Sequence, residues 1–169
     1  GSGGSGGFDY DGAGRPDLFV GHYVAWAAAG EPYCGGHDPG RRQYCHPSQY
    51  APLANALYHN EGGGRFRDVS RESGIAAHKG KGMTVVFGDF DGDNRPDLFV
   101  PQAGGCRLFK NEGGGRFSDA TSRQGALAQP IGDATCDAWT DFSKTGRRDR
   151  LVGCLSGPNK SLRNQGAGA

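Results

Sequence analysis

The chain has 169 residues, a formal net charge of +1 and a mean hydropathy of -0.63, with 32 glycines and 35% hydrophobic residues. The near-neutral charge argues against nucleic acid or an anionic membrane as partner, and no apolar run approaches the ~20 residues of a membrane helix. Short apolar segments separated by so many glycines predict an all-β fold rich in turns.

The first seven residues, GSGGSGG, have the composition of a flexible linker or a placeholder. An insertion over residues 22–56 follows the first apolar segment and is rich in Pro, Gly and Tyr, which predicts a long surface loop. Its aromatic residues form either a ligand surface for sugars or proteins or the packing that holds the loop to the sheet: Tyr23, Trp26, Tyr33, Tyr44 and Tyr50.

Two cysteines of the insertion, Cys34 and Cys45, can close a loop through a disulfide, which is common in an oxidising exterior. The alternative is a zinc ion held by two thiolates and two imidazoles, those of Cys34, His37, Cys45 and His46.

Two phrases recur three times in fixed order. The first reads FDYDGAGRPDLFV at 8–20, GDFDGDNRPDLFV at 88–100 and TDFSKTGRRDRLV at 140–152; the second reads LYHNEGGGRFRDVS at 57–70, LFKNEGGGRFSDAT at 108–121 and LRNQGAGA at 162–169. A unit of about 50 residues is typical of a four-stranded β-propeller blade. We therefore predict blades over 8–70, 71–121 and 122–169, with the last one truncated. Uninterrupted apolar runs such as DLFV predict strands buried on both faces between stacked blades.

The aspartate-rich phrase predicts a calcium loop. Positions 1, 3, 5 and 9 of residues 89–97 are the carboxylates Asp89, Asp91, Asp93 and Asp97, and the backbone carbonyl of Arg95 stands at position 7. Calcium binds about 6 to 8 oxygen ligands, and carboxylates this close repel one another unless a cation compensates them. The alternative is a solvated turn without metal.

The other two copies retain fewer ligands. The first keeps two early carboxylates, a carbonyl and the last carboxylate, but has Ala13 at position 5, which predicts weaker binding: Asp9, Asp11, Arg15 (backbone carbonyl) and Asp17. The third keeps only two acids beside two weak oxygen donors, and we expect it to be empty: Asp141, Ser143, Thr145 and Asp149.

The spacing D-x-D-x-D-x-x-x-D before DLFV resembles the calcium loop of FG-GAP or VCBS-type β-propeller repeats, found in integrin α-subunit heads. The second phrase and the C…GRRQYC insertion resemble the cartilage acidic protein and ASPIC/UnbV branch of those propellers. The resemblance implies a fragment of a seven-bladed propeller. In that family an apolar strand precedes the loop and pairs with DLFV, so Gly7 opposite Phe19 implies that one strand is missing.

The third copy also predicts a disulfide. If residues face each other symmetrically across the loop, the opposed pairs are Asp141 with Asp149, Trp139 with Leu151, and Cys136 with Cys154. Cross-strand cysteines at that separation can meet disulfide geometry. Cys106 is then left as a free buried thiol.

These patterns favour a non-catalytic, calcium-stabilised module that is extracellular, periplasmic or on the cell surface, with a structural, adhesive or recognition role toward a protein or glycan. The chain contains no G-x-S-x-G, no H-E-x-x-H and no acid pair outside the predicted calcium loops. Two alternatives remain: the propeller part of a polysaccharide-acting enzyme, and a subunit of a repeating extracellular assembly of copies.

Overall fold

The computed structural model describes residues 2–35, 40, 43–123, 125–129 and 131–166. The thirteen strands within these ranges are β1 (Ser2–Phe8), β2 (Asp17–His22), β3 (Leu53–Ala54), β4 (Ala56–Gly62), β5 (Arg65–Asp68), β6 (Lys79–Gly80), β7 (Val86–Gly88), β8 (Asp97–Gln102), β9 (Gly105–Gly113), β10 (Arg116–Asp119), β11 (Ala134–Thr140), β12 (Asp149–Cys154) and β13 (Lys160–Leu162). The helical segments are short 3-10 turns at Pro47–Gln49, Ile75–Ala77, Thr121–Arg123 and Gly125–Ala128. The predicted all-β class is confirmed, and none of the helices in these ranges could cross a membrane.

The strands form three main antiparallel sheets. Their orders are β1-β2-β4-β5, β7-β8-β9-β10 and β11-β12-β13, and β3 pairs with β6 in a small extra sheet. The three main sheets coincide with the three repeats, so the structure has two four-stranded blades and a third with three described strands.

Residues 2–7, expected to be a linker in place of a missing strand, instead form most of β1. Gly6 pairs with Phe19, and Phe8 pairs with Asp17. Glycine suits this position because the strand lies very close to the second blade: a Cβ on Gly3 would lie 2.1 Å from the carbonyl oxygen of Gly82. The hydrogen bonds of a strand come from the backbone, so a sequence without apolar side chains still completes the blade.

The strand register differs by one residue from the symmetric prediction. Thr140, and not Asp141, pairs with Asp149, and Trp139 pairs with Arg150 in place of Leu151. The second blade has the same register, with Leu98 opposite Phe87. The loop between paired residues contains an even number of residues, so its symmetry axis falls between two residues.

The apolar core consists of two clusters, one on each side of the second blade. The cluster between the first and second blades includes Phe8, Phe19, Leu57, Leu98, Phe109 and Phe117. The cluster against the third blade includes Phe99, Leu108, Ala134 and Val152. Since the neighbours Leu98 and Phe99 belong to different clusters and are both 0% exposed, β8 is buried on both faces, as its uninterrupted apolar run predicts.

The cysteines follow the prediction in one pair and not in the other. Cys34 and Cys45 form a disulfide with Cα atoms 5.2 Å apart, which leaves their thiols unavailable for zinc; His37, another residue of the zinc alternative, lies outside the described residues. The predicted Cys136–Cys154 disulfide is absent and both thiols are free. A register irregularity after Ala134 places Cys136 opposite Gly153 and Cys154 opposite Ala134. Cys106 is buried and free, as predicted.

Candidate metal centres

The second aspartate loop is closed by its own carboxylates. Asp89 accepts hydrogen bonds from the N–H groups of Gly92 at 2.7 Å and Asn94 at 2.9 Å. Asn94 has φ 64°, the left-handed conformation that Asn tolerates better than most residues. Asp97 is 0% exposed and accepts from the N–H groups of Phe90 at 3.0 Å and Asn111 at 2.7 Å. Asp97 therefore ties the loop to β9.

Three of the four predicted carboxylates in this loop converge. Asp89, Asp91 and Asp97 each offer an oxygen, and these atoms lie within 4.8 Å of one another. Asp93, the fourth, forms an ion pair with Arg95. Burial and the nearby charges of Asp91 and Asp93 raise the pKa of Asp97 to about 7, because ionised oxygens here lack solvent. A set of oxygen ligands with excess negative charge, one of them from the buried Asp97, fits a hard divalent cation such as calcium.

A basic side chain from β9 lies over this loop. The Lys110 ammonium contacts the Asp91 carboxylate and lies 3.3 Å from Asp93 Oδ2. Burial acts to raise the pKa of Asp91, but the hydrogen bond and charge of Lys110, together with hydrogen bonds from Asp93, outweigh it, and the pKa lies below its ordinary value. Lys110 therefore supplies part of the positive charge that the sequence assigns to a metal alone.

The first loop gathers a different set of ligands from the one predicted. Asp17 is 2% exposed and accepts from the N–H groups of Tyr10 and Asn60 at 3.2 and 2.7 Å. It converges with Asp11 and with His59, a residue absent from the prediction, and their ligand atoms lie within 4.8 Å of one another. Asp9 instead accepts from backbone N–H groups of the turn, including that of Gly14 at 2.7 Å.

The third loop keeps the turn but not the ligand cluster. Asp149 Oδ2 accepts from the N–H of Ser143 at 2.8 Å, and Asp141 accepts from the N–H of Thr145 at 2.9 Å. Among the described residues, no cluster of three His, Cys, Asp or Glu ligands forms here. Lys144 adopts φ 54°, where the other two copies have Gly12 and Gly92.

The second phrase contributes contacts between blades that its sequence alone did not indicate. Asn111 donates from Nδ2 to the carbonyl of Tyr10 at 2.8 Å, and Asn164 donates to that of Phe90 at 2.9 Å. Each hydrogen bond joins a blade to the aspartate loop of the preceding blade. The residue before each Asn is basic in all three copies: His59, Lys110 and Arg163. This recurrence is the pattern from which the position could have been found.

The insertion forms a cleft that brings together four of its five predicted aromatic residues. Tyr23, Trp26, Tyr44 and Tyr50 line a cavity of about 720 Å³, together with Glu31, Gln43 and Cys45 of the disulfide. Trp26 is 56% exposed. Tyr33, the fifth, lies outside this lining and is 63% exposed.

Asp133 anchors the insertion to the blades. Its carboxylate accepts from the N–H of Gly104 at 2.7 Å and lies 3.1 Å from His46 Nε2. Ser48 Oγ lies 3.0 Å from His46 Nδ1, which gives the order of groups found in a hydrolase triad. The Ser48 N–H also donates to His46 Nδ1, at the start of the 3-10 helix Pro47–Gln49, and the His46 side chain is 51% exposed. The contact is therefore a helix cap that holds the insertion against the third blade.

Comparison with known proteins gives two matches. A family model described as "FG-GAP-like repeat" matches residues 9–100 and again residues 89–152. The human protein "Cartilage acidic protein 1" is 32% identical over 96 residues, which make up 56% of this chain and 14% of the human protein. The chain thus spans a small part of the length of this relative.

Proposed function

Because the chain belongs to the FG-GAP-like repeat family, we propose that it is a non-catalytic, calcium-stabilised part of a β-propeller that acts outside the cell in structural, adhesive or recognition roles. The observation that carries the proposal is the convergence of ligand oxygens from Asp89, Asp91 and the buried Asp97 in one hairpin loop. The disulfide of the insertion and the extracellular character of such repeats support the location.

Calcium at the second loop would be held by the four carboxylates and by the backbone carbonyl of Arg95. Its charge would take over the role of Lys110, which leaves Asp91 and Asp93 free to turn toward the ion. In the first loop Asp9, Asp11, Asp17 and the carbonyl of Arg15 offer fewer oxygens because Ala13 replaces an aspartate. We therefore place the stronger calcium site in the second loop.

Thermal unfolding with calcium and with a chelator tests this role. At a calcium concentration a hundred times Kd, binding stabilises the fold by about 2.7 kcal/mol, which corresponds to a Tm increase of about 5 to 10 °C. Asp91→Asn should abolish the increase in Tm that calcium binding at the second loop causes. Asp141→Asn in the third loop is the matched control and should retain it. Equal melting temperatures with calcium and with chelator would exclude the proposal.

The aromatic cleft is the proposed recognition surface, and a glycan is the ligand that its chemistry favours. Exposed rings such as Trp26 stack on the apolar faces of sugars, and the amide of Gln43 can bond hydroxyl groups. Binding to a panel of immobilised glycans should be lost in Trp26→Ala and retained in Tyr33→Ala, the exposed control outside the cleft. Binding that survives Trp26→Ala would contradict this site, and release of new reducing ends would support the alternative of a polysaccharide-acting enzyme.

A second proposal, a repeating assembly of copies, draws on the face of the third blade turned away from the second. Phe142 and Leu151 are both 45% exposed there, whereas Tyr10, which occupies the place of Phe142 in the first loop, is 6% exposed beneath the second blade. Sedimentation of the native protein distinguishes a monomer from an assembly of copies. A sedimentation coefficient that rises with protein concentration in the wild type, but not in Leu151→Glu, would support an assembly of copies. A single monomeric species at all concentrations would exclude it.

A further inference from the structure

We infer that the first aspartate loop is a site for a divalent transition-metal ion, in which the imidazole of His59 supplies the ligand that Ala13 lacks. The inference deepens the proposed function, because it rests on the proposal that these loops bind cations and names a separate cation class for one of them. It concerns Asp11, Asp17 and His59.

The His59 imidazole lies at the distance of a neighbouring ligand in a coordination shell from both carboxylates. His59 Nδ1 lies 3.1 Å from Asp17 Oδ1 and 3.4 Å from Asp11 Oδ2. Two ligands that each bind one ion at about 2.1 Å lie about 3.0 to 3.4 Å apart in tetrahedral or octahedral geometry. A metal ion can therefore replace the proton between the imidazole and the carboxylates with little movement of the side chains.

The ligand chemistry separates this site from the second loop. Calcium prefers oxygen ligands, whereas imidazole nitrogen favours zinc and other transition-metal ions. At the equivalent place the second blade has Lys110, whose ammonium has no lone pair for a metal. Two differences between the copies thus coincide at one site: a carboxylate is lost at Ala13, and a nitrogen ligand is gained at His59.

The surroundings hold the ligands and give an ion access to them. Backbone N–H groups of Tyr10 and Asn60 fix the Asp17 carboxylate, and the Tyr10 ring meets the His59 ring edge-on with centroids 6.0 Å apart. Asp11 and His59 line a cavity of about 460 Å³. This space can admit the ion and hold the water molecules that would complete its coordination.

Zinc is the probe, and His59→Lys is the decisive variant. Lysine restores the residue of the second blade, so it keeps an ion pair with Asp11 and Asp17 but removes the metal ligand. Titration calorimetry should show one zinc ion per chain in the wild type and a loss of at least about 100-fold in affinity in the variant. The Tm without metal should stay unchanged. Ala13→Asp, the companion variant, should gain calcium affinity; if the lysine variant fails to fold, His59→Gln replaces it.

Two controls separate this inference from the calcium proposal. Asp91→Asn in the second loop should weaken calcium binding and leave the zinc affinity unchanged. A cobalt complex of the wild type should show weak visible bands without the intense near-ultraviolet band of thiolate ligation, because Cys106, Cys136 and Cys154 are also free. Wild-type zinc affinity in the His59 variant, zinc loss in Asp91→Asn, or a thiolate band would each overturn the inference.

Discussion

The buried pair Asp137–Arg150, between the second and third blades, gives the sharpest test of how the blades pack. Arg150 is 4% exposed, and its guanidinium stacks between the rings of Phe99 at 3.6 Å and Trp139 at 3.8 Å. Its Nε lies 3.5 Å from Asp137 Oδ2, and the Asp137 side chain is 0% exposed. Within the described part of the chain, both Asp137 oxygens and Arg150 Nη1 have no hydrogen-bond partner.

The second blade has apolar residues at both positions, Val85 for Asp137 and Leu98 for Arg150. Burial raises the pKa of Asp137 to about 6 and lowers that of Arg150 to about 10, which shows that pairing does not repay the loss of solvent. Removal of one partner leaves the other buried and unpaired and should cost about 3 to 5 kcal/mol. Replacement of both by their second-blade counterparts should be neutral or stabilise the fold by about 1 to 4 kcal/mol.

Denaturant unfolding of four proteins measures this coupling: the wild type, Asp137→Val, Arg150→Leu and the double variant. Circular dichroism should be recorded at pH 7.5 in the presence of calcium, so that the metal loops stay in one state. The two single changes should be strongly non-additive. A double variant destabilised by the sum of the single changes would refute the reasoning, because it would mean that the two residues are not energetically coupled in the blade interface.

Asp137, Lys110 and Lys144 each allow one further test. Because burial raises the pKa of Asp137 from 3.8 to about 6, the folded state binds this proton more tightly than the unfolded state does. The free energy of unfolding should therefore fall by about 3 kcal/mol as pH rises from about 4 to about 6. Parallel melts of the Asp137→Val, Arg150→Leu double variant should lack this decrease. Lys110→Gln removes a cation that competes for Asp91, so calorimetry should show calcium affinity raised about tenfold, and an unchanged affinity would contradict the overlap of the two cations. Lys144→Gly relieves a left-handed lysine and should stabilise the fold by about 1 kcal/mol in denaturant melts, whereas Lys144→Ala, which keeps a Cβ, should not.

Much of the architecture can be predicted from the sequence because its causes are local. The repeated phrases predict the number of blades and the position of each loop, and DLFV predicts a strand buried on both faces. The turn conformation at Asn94 also follows from nearby residues, since the alternating aspartates bind the backbone N–H groups of their own loop. The third loop keeps only the acids Asp141 and Asp149, and its emptiness stays a prediction.

Only the tertiary structure decided which groups from distant strands meet these loops. His59 and Lys110 lie on β4 and β9, and strand pairing places them over the carboxylates of the first and second loops. Strand pairing also decided the register, which places Cys136 opposite Gly153, one residue before Cys154. It also made a strand of the glycine-rich start, because the backbone alone provides its hydrogen bonds. Local patterns determine where a turn forms, but which side chains face one another depends on how strands far apart in the chain align.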